Sequence, residues 1–161
     1  MKKFVFTLLL VFVCHLGYAQ GISGLFNEFG SEKNADCVKV SSFMMSLGKM
    51  FAGHDEDAKI IRKIKSIKVL DLESCTASVK ERFNKKVNKL NLKGYDELMR
   101  VNDEGEKVRV LMKTKKETIR ELLFVCTGKE DCTLVQINGK FTKDDIDKLV
   151  NQETGKKHGR R

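Results

Sequence analysis

Cys126 and Cys132, in the stretch "LLFVCTGKEDCTLVQING", enclose five residues with turn chemistry between two apolar runs. Such a pair can close a disulfide, grip a metal or act as a redox switch, and spacing separates the three. Zinc sites place cysteines roughly two to four residues apart and add further Cys or His ligands, and no histidine accompanies these two. A thioredoxin-like site needs Cys-x-x-Cys at a helix start, whereas this pair flanks a strand turn. A cross-strand disulfide is therefore the expectation for Cys126 and Cys132. Residues facing each other across a hairpin bring their Cβ atoms to about 4.5 to 5.5 Å, within reach of a bridge after small adjustment.

Acid–base chemistry has little to draw on. Of the three histidines, His15 lies in the leader and His158 near the C-terminus, which leaves His54. A cysteine hydrolase or thiol-redox protein would have to join Cys37 or Cys75 to His54. Gly53 and the acidic run Asp55 to Asp57 place that imidazole in a solvated loop. The run "HDEDAK" matches no Ca²⁺-loop spacing and lacks the glycine such loops need for their turn. In "KDDIDK", Asp144 and Asp145 sit where a helix N-terminus welcomes negative charge. No catalytic, cofactor-binding or metal residue is assigned, and no cofactor is expected.

The opening "MKKFVFTLLLVFVCHLGYAQ" has a basic start, an apolar run from Phe4 to Val13 and a small-x-small site at Gly17-Tyr18-Ala19. This is the pattern of a secretory signal peptide over residues 1–19, with cleavage near Ala19 and a periplasmic or otherwise exported product. Cys14 follows Val13 rather than the small residue that lipid attachment favours, so it is expected to leave with the leader. Export permits oxidation of the remaining thiols. Of the formal charge of +9, two units lie in Lys2 and Lys3 and four in the tail "GKKHGRR", so residues 20–154 carry only +3. That body has the charge of an ordinary solvated surface, and nucleic acid is not expected as a partner. The tail, residues 155–161, reads as a disordered basic end and is the one place where membrane or polyanion contact is expected. Residues 20–23 are likewise expected to lie loose.

Hydrophobic periodicity then places the elements in one domain over residues 20–154. Leu25, Phe26 and Phe29 mark a short amphipathic helix, and Val38 and Val40 alternate as in a strand. Phe43, Leu47, Met50 and Phe51 return to helical spacing as a core stripe. A charged loop leads to a second strand near Ser66 to Leu72, taken as parallel to the first, which would set Cys37 and Cys75 at opposite ends of the sheet. Ser74 caps a helix with Val79, Phe83, Val87 and Leu90 on its apolar face. Four strand-like runs follow, "YDELMRV", "EKVRVLMKT", "TIRELLFVC" and "CTLVQI", joined by short turns that make them an antiparallel meander. A last helix starts at Thr142, whose hydroxyl can cap the amide near Asp145. The expected fold is α+β: a largely antiparallel sheet of about six strands, with a β-α-β start, then the meander, and helices packed on one face.

The segments "VKVSSFMMSLGKM", "IKSIKVLDLE", "YDELMRVNDEGEKVRVLMK", "IRELLFVC" and "INGKFTKDDIDKL", behind an exported leader, resemble the Bacteroidetes-type exported domain of unknown function DUF4252. The resemblance covers nearly all of the chain after the leader and includes a glycine turn at Gly139. It implies an envelope protein with an α+β fold and no assigned activity. The four cysteines outside the leader do not belong to that pattern. The functional expectation is a non-enzymatic binding or regulatory module whose partner is an envelope protein or a surface glycan. The cysteine-dependent enzyme is the alternative.

Overall fold

The computed structural model describes residues 21–51 and 56–148, the side chains of residues 47–51 and 56–58 apart. The leader, His54 and the basic tail lie outside the described residues, as do the side chains of Leu47, Met50 and Phe51.

Helix α1 (Ile22–Phe29) buries Ile22, Leu25, Phe26 and Phe29, a stripe at spacings of three, one and three. Ile22 is 7% exposed, so residues 20–23 are not wholly loose: Ile22 adds one more turn to the docked face. Strand β1 (Asp36–Val40) leads through α2 (Ser42–Phe51) and α3 (Glu56–Lys63) into β2 (Ile64–Asp71). These two strands are antiparallel, with Cys37 opposite Leu70 and Asp36 opposite Asp71, which corrects the parallel reading. A single crossover helix carries the chain back to the end where it began, whereas a helix pair returns it to the end it left. α3 is the missed partner, because the sequence "EDAKIIRK" reads as a charged loop. With the strands reversed, Cys37 and Cys75 fall at the same end of the sheet.

Helix α4 (Ala77–Asn88) has Thr76 rather than Ser74 at its N-cap and buries Val79, Phe83 and Val87. Strands β3 (Asp96–Asp103), β4 (Glu106–Lys115), β5 (Thr118–Thr127) and β6 (Thr133–Phe141) form the expected meander. Residues 143–148 form α5. The sheet has six antiparallel strands in the order β1-β2-β6-β5-β4-β3, so the fold is α+β as the periodicity implies.

One face of the sheet carries the main core. Leu70, Leu72, Leu111, Leu123, Val125 and Leu134 meet α1 and α4 there. Phe29 and Phe83 pack edge to face with centroids 5.3 Å apart, and the ion pairs Glu28–Lys86 and Glu32–Arg82 tie the two helices together. Phe26, Phe29 and Phe83 are almost wholly buried, which stabilises the fold by about 2 kcal/mol each relative to exposure. The helices are not confined to this face. Ile60 of α3 and Ile146 of α5 pack with Ile119, Leu122 and Phe141 in a second, smaller cluster on the other side.

Cys126 and Cys132 are both free thiols. The register aligns Cys126 with Thr133 and leaves Cys132 one position out of line. Because side chains alternate, that single step puts the two cysteines on opposite faces of the sheet. Cys132 is fully buried in the main core, its Sγ 3.3 Å from both Asn84 Oδ1 and the Gly128 carbonyl. Cys126 is half-buried on the other face.

Candidate functional site

Cross-strand register builds a row of apolar side chains across the second face. Val38 stands opposite Val69, Val69 opposite Val135, Val135 opposite Phe124, Phe124 opposite Val110, and Val110 opposite Met99. Directly opposed residues share a face, so these six side chains cross every strand of the sheet, a span of about 24 Å at the usual strand spacing. A neighbouring row continues it, with Val40, Ile67, Ile137, Leu122 and Met112 in register. The second row is roofed at Leu122 by the small cluster. The first is open. Val38 is 56% exposed, Met99 50% and Phe124 37%, and Val101 beside them is also exposed.

At the end covered by α3 the open row runs into a groove of about 290 Å³. Ile60, Ile61 and Ile64 form one wall, and Leu122, Phe124 and Phe141 the other. Gly139 of β6 is paired with Ile64 inside the strand rather than placed in a turn. A Cβ there would lie 2.5 Å from the Phe141 ring and 2.7 Å from the Lys63 carbonyl oxygen, so the close approach requires glycine.

Beyond Ile60 lies a second pocket of about 410 Å³, lined by Lys59, Arg62, Lys63, Lys148 and Asp145. Lys63 Nζ donates to both oxygens of Asp145 at 2.6 and 2.7 Å. The Thr142 amide donates to Asp145 Oδ2 at 2.7 Å, and the Asp145 amide returns a bond to Thr142 Oγ1 at 3.3 Å, the cap expected at Thr142. Burial works to raise the Asp145 carboxyl, but the bonds from Lys63 and Thr142, with the Lys63 charge, outweigh it and hold the group below its ordinary value. Lys59, Arg62 and Lys148 make further interactions of their own. The lining remains four cations to one carboxylate.

Among the described residues, the cysteines singled out for chemistry do not gather here. Cys75 is buried against the Lys33 carbonyl at 3.5 Å, and Cys37 packs at the edge of the main core. Burial, the largest cause in each case, pushes the thiols of Cys75, Cys126 and Cys132 up, and nearby carboxylates push the same way: Glu32 for Cys75, Glu106 for Cys126, Asp131 for Cys132. Among the described residues no three of His, Cys, Asp and Glu cluster as metal ligands. Phe43, expected in the core, is 73% exposed. The open row escapes the periodicity argument, although "ELLFVC" carries its signal: an unbroken apolar run marks a strand with apolar neighbours on both faces.

A family model described as "Domain of unknown function (DUF4252)" matches residues 29–149. No curated protein and no solved structure matches the chain.

Proposed function

The chain belongs to the DUF4252 family, and from that premise we propose that it is an exported, non-enzymatic binding module that holds an apolar ligand on the open face of its sheet. The observation that carries this reading is the apolar row from Val38 to Met99, which is exposed at Val38, Phe124 and Met99 and leads at Phe124 into the groove under α3. The row presents one aromatic ring and no polar side chain. A sugar laid on it would lose water from its hydroxyls without gaining partners, which costs free energy, so an apolar ligand fits better than a glycan. The leader pattern of residues 1–19 supports export. The raised thiols of Cys75, Cys126 and Cys132 support a binding role over cysteine chemistry, since the thiolate is the nucleophile.

The neutral fluorescent probe N-phenylnaphthylamine tests the reading. The native protein binds it, and Phe124→Lys combined with Val101→Lys abolishes the signal while circular dichroism shows the fold retained, because both side chains reach solvent. Absence of probe binding by the native protein refutes the open-face site. A thiol that reacts much faster than free cysteine would return the enzyme alternative to first place.

A further inference from the structure

The open face is not equally apolar along its length. Cross-strand register sets Val101 opposite Val108 and Val108 opposite Cys126, a row beside the one that runs through Met99, Val110 and Phe124. Over β3, β4 and β5 these two rows hold no charged side chain. Beyond β5 the row of Cys126 passes to Thr133 and then to the opposed carboxylates Asp71 and Asp36. The part where both rows are apolar therefore ends at β5, and there Phe124 also lines the groove under α3. Size decides what can cover this surface. Two rows about 7 Å apart across three strands about 5 Å apart come to roughly 200 Å², against the roughly 800 Å² that each partner of a stable complex buries. That is too little to hold a second copy of the chain or another folded protein.

We infer that the ligand is a single linear hydrocarbon chain, the alkyl chain of a single-chain lipid. One end sits in the groove between Ile61 and Phe141, and the chain runs over Phe124 onto Met99 and Val101 of β3. This rests on the open-face reading and adds the ligand's shape and its path. The groove, at about 290 Å³, is near the lower end of the roughly 300 to 1,000 Å³ of small-molecule sites, which suits one chain rather than a forked or ring-fused body. Phe124 belongs both to the groove lining and to the apolar row, so a chain that fills the first reaches the second by passing this ring. Met99 and Val101 are exposed, and each methylene that covers them leaves water for an apolar neighbour, a gain of about fourfold in affinity.

Displacement of bound N-phenylnaphthylamine by neutral linear alcohols, each below its solubility limit, separates the two levels of the claim. From octanol to tetradecanol the midpoint falls about fourfold per added methylene. Dodecanol displaces the probe at about tenfold lower concentration than 2-butyloctanol, which has the same carbons in a forked chain, because the fork keeps about two methylenes out of the groove. In Met99→Gln combined with Val101→Thr, two exposed positions on β3, the gain from octanol to decanol persists and the gain from decanol to tetradecanol is lost, while circular dichroism shows the fold retained. Equal displacement by the linear and the forked alcohol overturns the single chain. A gain beyond decanol that survives the β3 variant overturns the path over Met99 and Val101. Failure of every alcohol to displace a probe that does bind overturns the placement of a chain in the groove and leaves the apolar face standing. Failure of the probe itself to bind overturns the open-face reading beneath them.

Discussion

Asp145 ties together three pieces of chain that meet beside the groove: the end of α3 through Lys63, the exit of β6 through Thr142, and the start of α5 through its own amide. Half of this was readable in the sequence, because Thr142 and Asp145 stand at capping distance. The other half was not, since Lys63 lies 82 positions away and only the fold brings it near. The consequence is a specific acid sensitivity. A carboxyl held below its ordinary value of 3.8 contributes stability that is present above that value and is lost as pH falls through its folded-state value. Asp145→Asn should therefore cost about 2 kcal/mol at pH 7, the scale of hydrogen bonds to a charged group. The gap between variant and wild type should close as the pH falls below 3.8. Denaturant unfolding of both proteins at a series of pH values measures it, and a gap that stays constant through acid removes Asp145 from this role.

The strands and their turns were the most legible elements. Alternation located β3 to β6 within a few residues, and the turn residues supplied the antiparallel order. α3 was not legible because two isoleucines among six charged or small residues make no sustained stripe, and without it the first strand pair took the wrong direction. The turns themselves differ in quality. Between β3 and β4 the left-handed pair is Glu104 and Gly105, at φ 43° and 92°, whereas between β4 and β5 it is Lys116 and Glu117, at 48° and 35°. Both loops have the primed form that matches strand twist, but the second places two side chains in a region that disfavours them. Lys116→Asn with Glu117→Gly keeps the net charge and relieves that penalty, partly offset by the added freedom of glycine in the unfolded chain. The double variant should gain about 1 kcal/mol. Thermal unfolding monitored by circular dichroism checks it, and a lower melting temperature would show that Lys116 or Glu117 makes a contact worth more than the strain.

At the scale of the molecule, the decisive feature is that β2 returns to pair with β6, so an antiparallel strand pair from the first half of the chain extends a meander from the second. No local pattern specifies that neighbour, and the open row exists only because of it: Val38 and Val69 come from one half, Val135, Phe124, Val110 and Met99 from the other. The same order leaves β3 as an edge strand, exposed at every residue. β5 and β6 lie inside the sheet, with Leu123 and Leu134 in the main core. Local opening should grade accordingly. Amides of β5 and β6 should exchange with solvent only through global unfolding, whereas amides of β3 aimed away from β4 should exchange through local fraying, orders of magnitude faster. Edge charges such as Glu97, Arg100 and Asp103 oppose pairing with another strand there. Hydrogen exchange followed by mass spectrometry reads the gradient directly. If the outer β3 amides are as protected as those of β5, and lose that protection on dilution, a second chain is pairing on this edge, and the sheet is the half of a larger one.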